Sequence, residues 1–150
     1  MELVKNAIKM VYDDGGRENA GYKGTTNDCT VRAISIATET PYQDVYDKIN
    51  EMAKKERIGK RKRGKSNART GVYTSTTRKY MSSIGWEWVP CMNIGTGCTT
   101  HLRQDELPNG RIIVKLSKHI AAVIDGELHD IYDCSRDGTR CVYGYWHNPS

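Results

Sequence analysis

The chain has 150 residues, 37% of them hydrophobic, with no Phe, 23 Lys plus Arg against 18 Asp plus Glu, and a formal net charge of +5. That length fits one domain over residues 1–150, and no window approaches the run of about eighteen apolar residues that a membrane helix needs. The first ten residues carry Glu2, Lys5 and Lys9 with no apolar run before a small-residue cleavage site, so no secretory signal is expected and a cytoplasmic protein is.

Met1 to Thr26 is polar and glycine-rich, an irregular lead-in with one short strand expected around Met10 to Tyr12. Asn27-Asp28 is a helix-capping pair, and Cys29 to Thr38 places Val31 and Ile34 on one face, widened by Ala33 and Ile36. Thr40-Pro41 reads as an N-cap followed by Pro at the first helical position. Val45, Ile49, Met52 and Ala53 then recur at helical spacing to about Lys55. A third helix is expected from near Val72 to Gly85, with the glycine just past its end, and Trp86 to Pro90 alternates as a strand. After a glycine-rich loop, a short helix is expected around Thr100 to Leu107. Strands follow over Arg111 to Leu116, Ile120 to Ile124 and Glu127 to Ile131, the last two joined by the hairpin signal Asp125-Gly126. Helices first and an antiparallel sheet after them predict an α+β fold.

Five cysteines in a reducing compartment argue against a disulfide framework. Cys91 and Cys98, like Cys134 and Cys141, stand six residues apart, with no Cys-x-x-Cys and no His-x-x-x-His, so neither metal nor cofactor is expected and these four read as core or half-buried thiols. The positive charge is concentrated between Arg57 and Arg69. There Arg57, Lys60, Arg61, Lys62, Arg63, Lys65 and Arg69 occur without an acid. A solvated, flexible loop at about 57–70 is the expectation, and contact with nucleic acid or an acidic protein surface is the rival. The loop lacks interleaved aromatics for base stacking.

Cys29 is set apart by position. A helix N-terminus and a nearby imidazolium both favour a thiolate, and Cys29 has the first by sequence. His119, at the entrance of the apolar strand Ile120 to Ile124, is the candidate for the second, with His101 as a spare and His129 and His147 read as surface residues. A two-residue turn at Asp125-Gly126 sets Ile124 opposite Glu127 and position 119 opposite Tyr132, which brings Asp130 onto a diagonal of the same face. A register change or bulge would select Asp133 instead.

The Asn27-Asp28-Cys29 to Ala33 segment, the strand Lys118-His119-Ile120-Ala121-Ala122-Val123 and the Asp130 hairpin together resemble the papain-like cysteine peptidase superfamily. More closely, they resemble a group of small phage and bacterial proteins with an early Gly-Asp-Cys-x-x-Arg-Ala motif and a late His-x-x-Ala-Val-x-Asp-Gly motif. The resemblance implies a papain-like fold and a phage-encoded or mobile-element-encoded thiol hydrolase of peptide, isopeptide or side-chain amide bonds. In it Cys29 is the nucleophile, His119 the general base and acid, and Asp130 the orienting residue. Papain-like enzymes place a Gln shortly before the cysteine as an oxyanion donor. Here that stretch reads Lys23-Gly24-Thr25-Thr26-Asn27, leaving the Cys29 N–H with Asn27 or Thr26. Asp28 beside the thiol would raise its pKa unless turned away. The alternative is a catalytically inactive module of the same fold that binds nucleic acid or a host protein through the basic loop.

Overall fold

The computed structural model describes residues 8–23, 27–57, 64–92, 95, 97–136 and 138–149. In sequence order the elements are β1 (Lys9–Tyr12), α1 (Cys29–Thr38), α2 (Tyr42–Ala53), α3 (Thr74–Ser83), β2 (Glu87–Pro90), β3 (Arg111–Leu116), β4 (His119–Ile124), β5 (Glu127–Asp130) and β6 (Gly144–His147). Among the described residues, three helices and one six-stranded sheet make an α+β protein. Among the described residues no helix is long and apolar enough to cross a membrane.

The sheet order is β1-β5-β4-β3-β6-β2. It is mixed rather than antiparallel as expected: β1 runs parallel to β5, with Tyr12 opposite Asp130, because the lead-in strand returns to the far edge of the late hairpin. The other pairs are antiparallel. Ile113, Ile120, Ala122 and Trp146 face the helices and pack against Val31, Ile34, Ile49 and Met81. On the opposite face, Ile112, Val114, Leu116, Ala121, Val123 and Leu128 are covered by Leu102, Leu107, Cys134 and Val142. Burial on both faces explains why β3 and β4 read as unbroken apolar runs and not as alternation.

The helix expected at Thr100 to Leu107 is absent. That segment is a turn-rich cover, with a bridge between His101 and Cys141 and backbone hydrogen bonds from Leu102 to Arg140 O and from Val142 to Thr100 O, both 2.8 Å. It is joined to the 131–143 segment by a disulfide between Cys98 and Cys141, whose Cα atoms are 5.8 Å apart. This overturns the reading of both as thiols. The partners lie 43 residues apart, so cysteine spacing in the sequence gives no sign of the pairing. Cys29, Cys91 and Cys134 are free.

α1 is buried from Thr30 to Ala37, on every side and not only one. The sheet and α2 cover two sides. The lead-in covers a third, where Gly15, at φ +70, lies so close that a Cβ would stand 3.1 Å from the Arg32 backbone. A helix so rich in Thr, Val and Ile has modest propensity and is held by this packing. α2 begins at Tyr42, one residue later than expected, with Pro41 at the N-cap. Tyr42, Val45, Ile49 and Ala53 form its buried stripe. α3 ends as expected: Gly85 takes φ +82 and donates to Ser82 O while Trp86 donates to Met81 O, a Schellman pair.

Candidate active site

Cys29 is the first residue of α1, at the positive end of the helix dipole. His119 opens β4 and Asp130 closes β5, so the hairpin that turns at Asp125-Gly126 delivers both to the same end of the sheet. Its register is the one expected, Ile124 opposite Glu127 and Val123 opposite Leu128. His119 Nε2 hydrogen-bonds Asp130 Oδ2 at 2.8 Å, and the Tyr132 ring lies 5.4 Å from the imidazole. Asp133 is turned away, accepting from the Ser135 N–H and hydroxyl at 2.9 and 2.6 Å.

The His119 ring and the Ile120 N–H both act on the Cys29 thiol. Burial pushes the Cys29 pKa up, but the His119 hydrogen bond and charge, the Ile120 N–H and the Arg32 charge together hold it below the ordinary 9.0. Burial pushes His119 the other way, yet Asp130 and the two thiols Cys134 and Cys29 raise it well above 6.5. Both shifts favour a thiolate beside an imidazolium. Asp130 is itself held low, against its burial, by His119, Arg32 and the Ile131 N–H.

Behind this pair lies a row of buried charges. Arg32, one turn along α1, donates Nη1 to Asp130 Oδ1 at 2.5 Å and Nε to Asp28 Oδ1 at 2.9 Å. Asp28, fully buried, also accepts from Arg17 at 3.2 Å and from the Tyr42 hydroxyl at 2.7 Å. Anions and cations alternate through Cys29, His119, Asp130, Arg32, Asp28 and Arg17. Asp28 therefore stands at the N-cap without making a capping bond through its carboxylate, contrary to its expected role, since that carboxylate is spent on Arg17, Arg32 and Tyr42. This also removes the concern about Asp28 and the thiol, because the carboxylate is answered by two guanidiniums.

Sequence reasoning passed over Arg32, although a signal was there. An Arg in a helix whose neighbours Val31, Ala33, Ile34 and Ile36 are all buried needs a carboxylate partner, and Asp28 sits at i−4. Cys134 was also missed. One ligand atom each of Cys134, His119 and Asp130 lie within 4.8 Å of one another, a set with the chemistry to hold a soft cation. Asp130 already serves Arg32, His119 and the Ile131 N–H, so its lone pairs are largely committed.

A cleft of about 630 Å³ opens on Cys29 and His119, lined also by Asn27, Thr77, Lys115 and Trp146. Asn27, the expected oxyanion donor, thus lines the same cleft as Cys29. The other histidines are elsewhere: His101 pairs with Glu106 at 3.1 Å, His129 lies 3.8 Å from Asp13, and His147 lies 3.9 Å from Glu87.

Of the basic loop, Lys60, Arg61, Lys62 and Arg63 lie outside the described residues. Arg57 is exposed. Lys65 donates to Lys54 O at 3.1 Å and Arg69 donates to Lys23 O with its guanidinium over the Tyr22 ring. From residue 64 onward the stretch is not the solvated loop expected. Ser66 and Ala68 are buried, and their N–H groups donate to Glu56 Oε1 and Asn50 Oδ1, acceptors that α2 and its C-terminal extension supply. Thr70, Gly71 and Val72 then line the cleft. Compared with family models, curated proteins and solved structures, the protein has no match.

Proposed function

We propose that the protein is a thiol hydrolase of papain-like type, acting on peptide, isopeptide or side-chain amide bonds. The observation that carries this reading is the Cys29–His119–Asp130 arrangement at a helix N-terminus, with the thiol lowered and the imidazole raised, opening on a cleft. The Cys29 thiolate attacks the acyl carbon, and the carbonyl electron pair moves onto oxygen. The Cys29 N–H and Asn27 receive that oxyanion. The His119 imidazolium gives its proton to the leaving amine as the carbon–nitrogen bond breaks, leaving a thioester on Cys29. His119, now neutral, takes a proton from water as it attacks, and collapse of the second intermediate returns the thiolate. Asp130 keeps Nε2 engaged, so the ring's other nitrogen is left for the thiol.

A peptide vinyl sulfone tests this directly, because it needs both a reactive thiolate and a proton for the carbanion that addition creates. The expected result is labelling at Cys29 and not at Cys91 or Cys134, falling about 100-fold or more in His119→Ala. Labelling spread over the three thiols, or unchanged in the variant, would refute the proposal.

A further inference from the structure

One wall of the cleft carries a cation that the thiol chemistry leaves unused. Lys115 lies on β3, between Ile120 of β4 and Gly144 of β6, and borders the same cleft as Cys29. It shares strand parity with Ile113, which packs against the helices, and it lines the cleft together with Lys118. Its ammonium donates to the Leu116 carbonyl at 3.0 Å, and among the described residues it takes part in no ion pair. No described Asp or Glu lines the cleft. Burial, and to a lesser degree the Arg140 charge, push the Lys115 pKa down, opposed chiefly by the negative charge of the Cys29 thiolate. A half-buried ammonium without a carboxylate is costly, and an anion brought by the substrate would relieve that cost. Lys118, held at φ +56 in the β3–β4 turn, adds a second positive charge at the cleft.

We propose that the cleft selects substrates bearing a carboxylate close to the scissile carbonyl, on an acidic side group or at the C-terminus of a peptide, and that Lys115 is the residue that binds it. This rests on the reading of Cys29 and His119 as the reactive pair. The test uses two alkylating agents of nearly equal size, iodoacetate and iodoacetamide. With each, a sulfur–carbon bond forms at Cys29 as the carbon–iodine bond breaks and iodide leaves. The ratio of the two rates, divided by the same ratio for free cysteine, measures the preference for an anion. Lys115→Met is expected to lower it by about 3- to 10-fold, and Lys115→Arg to keep it, as one unit charge a few ångströms away would do at a partly solvated site. A ratio unchanged in Lys115→Met, with both reagents slowed alike, would mean that Lys115 only supports the thiolate and would overturn the proposal. A wild-type Cys29 no faster than free cysteine toward iodoacetamide would instead contradict the reactive pair itself, and the substrate class with it. Vinyl sulfones separate the two carriers: a preference for Glu over Gln beside the reactive group marks an acidic residue, and a preference for a free-carboxylate tail marks a C-terminus. Preference for neither would overturn the proposal.

Discussion

Arg32 connects the chemistry of the site to the stability of the fold. Its guanidinium stands between two buried carboxylates and shares their neutralisation with Arg17 at Asp28 and with His119 at Asp130. Replacing it with Met leaves Asp28 and Asp130 without that charge, a loss on the order of 3 to 5 kcal/mol in a denaturant titration. Asp130→Asn acts on the ring and also takes one charge partner from Arg32. It removes the charge that raises His119, so the imidazolium is lost at a lower pH and the alkaline limb of Cys29 reactivity moves down. The linkage to stability has a definite sign. Asp130 is lowered in the folded protein, so its contribution is full above the ordinary 3.8 and is lost as pH falls through the folded value. His119 is raised, so its contribution is full below 6.5 and is lost as pH rises through the folded value. Thermal unfolding followed from pH 2 to pH 5 is therefore expected to show stability rising with pH.

At the scale of elements, the contact between β6 and β2 leaves least room for change. A Cβ at Gly144 would overlap the Trp88 ring, which itself packs on Trp146 with ring centroids 4.6 Å apart. Gly144→Ala is expected to cost about 1 to 3 kcal/mol in unfolding free energy, as overpacked positions do. It should also perturb the cleft, since Trp146 and Lys115 both border it. Elements with strong local signals were legible in the sequence: α1 from its apolar spacing, the β4–β5 hairpin from Asp125-Gly126, and the end of α3 from Gly85. The Cys29, His119 and Asp130 positions followed from one helix start and one hairpin register. What stayed hidden depends on contacts between distant segments. β1 pairs with β5 across more than a hundred residues, β6 is a short strand without a turn signal, and the 97–110 cover takes its shape from the 131–143 segment and not from its own pattern. The 64–70 stretch looked solvated because its charges dominated, while its order comes from acceptors on Asn50 and Glu56.

At the scale of the whole molecule, among the described residues the sheet has helices on one face and loops on the other, and the disulfide joins the two loop segments that cover that second face. A crosslink spanning 43 residues limits the unfolded ensemble, so reduction or the Cys98→Ala, Cys141→Ala pair is expected to lower stability by about 2 to 4 kcal/mol. Melting with and without reductant measures it. Neither Cys98 nor Cys141 lines the cleft that opens on Cys29 and His119. Reactivity at Cys29 should therefore survive reduction at temperatures where the protein stays folded. The central claim is the thiolate–imidazolium pair, and the rate of Cys29 alkylation by iodoacetamide across pH tests it most directly. The rate is expected to stay high well below pH 9.0 and, in His119→Ala, to fall at neutral pH and rise only as an ordinary thiol ionises. A wild-type rate that climbs only toward pH 9, with the same profile in His119→Ala, would contradict the claim.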